Sequence, residues 1–155
     1  MRGKRAKVRQ LKKDTKYKNT LFGRFINSIM LHGKKGLAEK TFYNIVEEGA
    51  KELNTDPVEF ANKAIDNIRP ALEIKSRRVG GSNYQVPVPV TPQRQETLAV
   101  RWLIEIARKK TGASFEELLK KEMIAAYKGE GDATKKKQDV ERMAEANKAF
   151  AHFRW

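Results

Sequence analysis

Residues 72–90 alternate apolar and polar side chains, whereas the chain's other apolar patterns repeat at helical spacing. Leu72, Ile74, Tyr84, Val86, Val88 and Val90 alternate with Glu73, Lys75, Arg77, Gln85, Pro87 and Pro89. A period of two predicts two half-buried strands. Gly80 and Gly81, followed by Ser82 and Asn83, supply residues that tolerate a positive φ at the connection. Pro87 and Pro89 have no amide hydrogen to give to a ladder, so their edge of the ribbon must face outward. A ribbon only two strands wide is marginal in water and needs something to lie against. Arg77 and Arg78, near the tip, suggest that this support is a phosphate backbone.

The rest of the chain reads as helices. Asn19 or Thr20 caps the first, with Leu21, Phe22, Phe25, Ile26, Ile29 and Met30 as its apolar stripe, and it stops at His32 and Gly33. Lys34, Lys35 and Gly36 read as a basic turn. The second helix carries Leu37, Phe42, Ile45, Val46, Ala50 and Leu53, with Gly49 as a weak point costing about 1 kcal/mol. Asp56 as cap, Pro57 at the first position and Glu59 in a capping-box position start the third helix. Val58, Ala61, Ala64, Ile65 and Ile68 form its core face, and Pro70 ends it. After the ribbon, Thr91 and Pro92 open a fourth helix with Leu98, Trp102, Leu103 and Ile106 inward, ending at Gly112. A fifth runs from Ser114 and Glu117 to Gly129. Residues 131–134 read as a loop, and a sixth helix runs from about Lys135 past Met143 towards Phe150. The expectation is one mainly all-α domain of about six helices over residues 19–155, with a protruding two-stranded β-hairpin arm at about 72–90.

The chain has 155 residues, with 33 Lys and Arg against 19 Asp and Glu, a formal charge of +14. A folded domain so basic repels itself, and a polyanion such as nucleic acid is the natural partner. No apolar run reaches the roughly 18 residues of a membrane-spanning helix. The basic N-terminus has no apolar segment behind it, so it does not read as a secretory signal. The absence of cysteine excludes disulfides and thiolate zinc sites and fits a cytosolic protein. Residues 1–18 hold nine Lys or Arg and one acid, Asp14. Such a stretch cannot bury enough surface to fold alone and reads as an arm that orders on its partner.

No catalytic set emerges, and no cofactor is implied. Gly33, Lys34 and Lys35 lack the upstream glycine and following Ser or Thr of a phosphate-binding loop. His32 and His152 stand at unrelated positions. The cations are grouped: Arg2, Lys4, Arg5 and Arg9 in the arm; Lys34 and Lys35; Lys75, Arg77 and Arg78; Arg94, Arg101 and Arg108; Lys135, Lys136 and Lys137; and Arg142. The spacing of seven puts Arg94, Arg101 and Arg108 along one helix face. Arginine suits phosphate because its planar fork makes paired hydrogen bonds and its face stacks on bases. Tyr84 reads either as a stacking surface for a base or as packing across the ribbon on Ile74.

Three stretches resemble one family. Asn19, Leu21, Phe25 and Ile26, followed after six residues by Gly33, Lys34 and Lys35, are similar to the signature of the small-subunit ribosomal protein S-seven family. The ribbon from Lys75 to Pro87 and the C-terminal stretch from Arg142 to Trp155 resemble that family's arm and last helix. The resemblance implies a helical domain in the head of the small ribosomal subunit, binding the 3′ major domain of 16S rRNA and nucleating head assembly. It implies that the tip, Val79, Gly80, Gly81, Ser82, Asn83 and Tyr84, lies near the exit-site tRNA and the mRNA. Contact with the platform protein S-eleven and other head proteins is expected, with no membrane. By position it carries an rRNA-binding role to Arg2, Lys4, Arg5, Arg9, Lys34, Lys35, Lys75, Arg77, Arg78 and Arg94. The alternative is an architectural DNA-binding protein that bends a duplex with a β-ribbon arm; such arms carry an apolar wedge or proline where this one has Gly80 to Asn83.

Overall fold

A computed structural model describes residues 12–153 together with Gly3 and Ala6. Its elements are α1 (Thr20–Ile29), α2 (Lys35–Leu53), α3 (Pro57–Ile68), β1 (Leu72–Val79), β2 (Ser82–Pro89), α4 (Pro92–Lys109), α5 (Phe115–Tyr127) and α6 (Asp132–Ala146), followed by a 3-10 helix (Lys148–Phe153). The fold is mainly α-helical with an antiparallel hairpin, as the two periodicities predict.

Local chemistry sets the helix starts. The Asn19 side chain accepts from the Leu21 amide, Asp56 accepts from Val58 and Glu59, and Ser114 accepts from Glu117. Each satisfies amides that the first turn leaves without partners. The aromatic core begins on α1 and α2: Phe25 stacks on Phe42 at 4.9 Å and Phe22 meets it edge-on at 5.1 Å, all three fully buried. Ile45, Val46, Ile65, Ile68, Leu103, Leu119 and Met123 continue that core across the helices. The ribbon's base joins it at Val90, and Val86 and Pro87 are also buried.

Several sequence expectations shift. α2 begins at Lys35, so Lys35 and Gly36 form its first turn rather than a loop. Leu37, expected on the core face, is 63% exposed. On α3 it is Phe60 that is fully buried, while Val58 is half-buried. α6 starts at Asp132, taking in the expected loop. It stops at Ala146, where the Asn147 side chain donates to the Met143 carbonyl and the chain tightens into the 3-10 helix.

Within the stretch read as an arm, residues 14–18 pack on the body. Asp14 is buried and accepts from the amides of Lys16, Tyr17 and Asn19 and from the Tyr43 hydroxyl. Lys16 pairs with Glu47, which also accepts from the Tyr17 hydroxyl at 3.1 Å. A buried carboxylate with four donors is fully satisfied, so it fixes where the preceding chain enters.

Gly49 is the opposite of a weak point. A Cβ placed there would sit 2.7 Å from the buried Phe60 ring, so the glycine lets α2 and α3 approach closely. Gly49→Ala gains about 1 kcal/mol of helix propensity but overpacks the contact by about 1–3 kcal/mol. The expected outcome is a lowered Tm in a thermal melt, and a raised Tm would show that Phe60 gives way without cost.

Candidate nucleic-acid interface

The ribbon pairs Leu72 with Pro89, Ile74 with Pro87, Lys75 with Val86, Arg77 with Tyr84 and Arg78 with Asn83. Directly opposed residues share a face. Tyr84 therefore lies across from Arg77, and the packing on Ile74 read from the sequence does not form. Its ring meets Phe150 at 5.1 Å and Phe153 at 5.0 Å, both on the 3-10 helix. The support a two-stranded ribbon needs thus comes from this chain's own C-terminal segment and from α6. At the turn, Gly80 and Gly81 take φ of +56° and +91°. The exposed residues Gly80 to Asn83 offer no apolar wedge.

The expected cations fall into three situations. Arg2, Lys4, Arg5 and Arg9 lie outside the described residues. Lys34, Arg78 and Arg101 are exposed and form no ion pair among the described residues. The others are tied into the fold. Lys75 and Arg94 both reach Glu73, at 3.1 and 3.2 Å. Burial pushes the Glu73 carboxyl up, but hydrogen bonds from Lys75 and Arg94 more than offset this and hold it below the ordinary carboxylate value. Lys35 pairs with Glu39, Lys135 with Asp132, Lys136 with Glu105 and Arg142 with Asp139. Lys137 donates to the Asn67 carbonyl and Arg108 to the Ile29 carbonyl. Arg77 is half-buried opposite Tyr84, and Val79 closes the ladder against Ser82.

The structure brings these groups together at two places. Arg94 and Lys75 stand at the root of the ribbon, beside Trp102 of α4 and Met143 of α6. Lys34 and Arg108 rim an apolar groove between α1, α2 and α5. Fourteen residues of α4 separate Arg94 from Arg108, about 21 Å at helical rise. The face expected from their spacing therefore spans both places rather than forming one cluster.

Sequence reasoning missed Lys110, which joins the second group. It lies 2.7 Å from both Glu122 and Asp132. Hydrogen bonds to Asp132 and Glu122 hold its ammonium above the ordinary value. Only the buried Glu122, whose other oxygen accepts from the Ala133 amide at 2.8 Å, makes sense of it. Nothing in the local pattern of α5 marks that glutamate as buried. Met143, one turn beyond Val140, is 50% exposed.

A family model described as Ribosomal protein S7p/S5e matches residues 1–148. Small ribosomal subunit protein uS7 of Nitrosococcus oceani is 49% identical over 147 residues, covering 95% of this chain and 94% of that protein. The uS7 protein of Dichelobacter nodosus is 48% identical over 151 residues, covering 97% of each chain. That of Thermosipho africanus is 47% identical over 155 residues, the whole length of both.

The aromatic contact between ribbon and C-terminal segment is testable in the isolated protein. With Phe150 and Phe153 both replaced by alanine, the loss of two ring contacts, each worth about 0.5–1.5 kcal/mol beyond buried area, frees the ribbon. Amides of residues 82–86 should exchange about tenfold faster in hydrogen exchange, while Ile45 and Leu103 keep their protection. Unchanged exchange in β2 would mean that α6 alone supports the ribbon.

Proposed function

The chain belongs to the S7p/S5e family of ribosomal proteins, and we propose that it nucleates folding of the head of the small subunit by binding the 3′ major domain of 16S rRNA. At the coarser level, it is a structural, non-enzymatic constituent of the small ribosomal subunit that binds its rRNA. The single observation that supports the finer reading is the set of exposed cations that no acid holds among the described residues. Lys34, Arg78 and Arg101 carry no internal ion pair among the described residues, and residues 1–13 add seven Lys or Arg and no acid.

The mechanism is docking followed by shape recognition. The major groove of an RNA duplex is too deep and narrow for side chains, so junction shape, phosphates and unstacked bases are what a rigid helical body can read. Charge draws the protein to the junction, α1 to α6 set register, and the N-terminal stretch orders along phosphates. The ribbon tip then lies towards the exit-site tRNA and the mRNA, with the platform protein S-eleven as a neighbour. No bond is made or broken at any step.

Deletion of residues 1–9 tests this reading. It removes about four phosphate contacts, so the slope of log K against log salt for a 3′ major domain rRNA fragment should flatten by roughly three to four. A duplex DNA of equal length should bind more weakly than the fragment at every salt concentration. Equal affinity for the two would overturn rRNA recognition, and an unchanged slope would remove the N-terminal stretch from it.

A further inference from the structure

Between the ribbon, α4 and α6 lies an open hollow of about 540 Å³, within the roughly 300–1,000 Å³ typical of sites that hold a small planar ligand. Its walls are of two kinds. Ile74, Leu98, Trp102, Val140 and Met143 are apolar, while Glu73, Gln85, Arg94 and Asn147 stand among them. Trp102 is 7% exposed and forms part of the floor, whereas Met143 is 50% exposed. A single exposed methionine is ordinary by itself; here it stands at the edge of an apolar floor.

We infer that this hollow takes a single unstacked nucleobase of the bound RNA, a site that rests on the rRNA reading above. A base has two flat apolar faces and a polar edge, and the hollow offers a matching pair of surfaces. Met143 and the apolar floor at Trp102 and Leu98 supply flat, polarisable contact. The Gln85 amide has two donors and an acceptor for an edge, and Glu73 adds acceptor oxygens for an amino group. Arg94 places Nε on Glu73, which orients its guanidinium so that the terminal nitrogens can meet the phosphate attached to the base. The Glu73 carboxylate thus holds Lys75 and Arg94 at the rim rather than letting them fold across the opening. A surface made only for phosphates would not need an apolar floor beneath its cations.

The two descriptions of this face differ in sign. Met143→Lys adds a cation to a surface already facing a polyanion. If the face met phosphates alone, the variant would bind rRNA more tightly. If a base fills the hollow, the variant removes one stacking wall and weakens binding by about tenfold, the scale of one lost stack. Met143 is exposed, so the Tm of the variant should stay near that of the parent. The measurement uses full-length protein carrying Trp155→Phe, which leaves Trp102 as the only tryptophan, and the 3′ major domain rRNA fragment. Binding should change Trp102 fluorescence, and abasic substitution of each unpaired junction nucleotide in turn should abolish that change at one position. Removing that base should also make Met143→Lys and the parent bind alike, and Gln85→Ala should weaken the intact fragment but not the abasic one. Tighter binding by Met143→Lys, or a fluorescence change insensitive to every abasic position, would overturn the nucleobase site while leaving rRNA binding intact. Failure of the parent to prefer the fragment over duplex DNA would overturn the rRNA reading and this site with it.

Discussion

Charge imbalance is the constraint under which this structure is built. With 33 basic side chains and 19 acidic ones, repulsion opposes compactness unless the acids are placed where they hold several cations or several amides at once. They are. Glu73 holds Lys75 and Arg94, Glu96 holds Arg24 and Arg69, and Glu122 with Asp132 holds Lys110. The reverse also occurs, with Glu48 and Glu52 sharing Lys120. Exposed pairs of this kind contribute little singly, about 0–1 kcal/mol, and their effect is on arrangement. They hold part of the body's cations in place, and the densest surplus lies in residues 1–18, with nine Lys or Arg against Asp14.

The aromatic core then needs only to be rigid. Phe22, Phe25 and Phe42 interlock on one side, and Phe60 is pressed against Gly49 on the other. The ribbon's base joins this core at Val90, while its outer half relies on surfaces further along the chain. Rigidity at the root and cover at the tip are therefore separate interactions, made by different elements.

Elements with a strong period and local start chemistry were legible in the sequence. The caps at Asn19, Asp56 and Ser114, the ribbon's alternation and the stripes of α1 and α4 depend on neighbours within a turn or two. What was hidden depends on distant partners. Gly49 reads as a helix weakness until Phe60 is placed beside it, and Tyr84 reads as a base-stacking ring or as packing on Ile74 until Phe150 and Phe153 are placed against it. Leu37 fits a helical stripe yet is 63% exposed, on the edge of the groove between α1, α2 and α5. Basic side chains were easy to find and hard to rank, since composition does not say which of them an acid already holds. Lys136 and Lys137, in a run read as facing RNA, reach Glu105 and the Asn67 carbonyl.

The contact between Tyr84 and the 3-10 helix has a consequence for the order in which the molecule matures. During synthesis the ribbon leaves the ribosome well before Phe150 and Phe153 do. Until they emerge, β2 has a bare tyrosine face and a two-stranded ribbon too weak to hold its shape. A nascent chain can thus assemble its helical body first and settle the ribbon afterwards. The ring of Tyr84 gains its cover only once residues 148–153 have been made, so the finished face of β2 waits on two late-made phenylalanines.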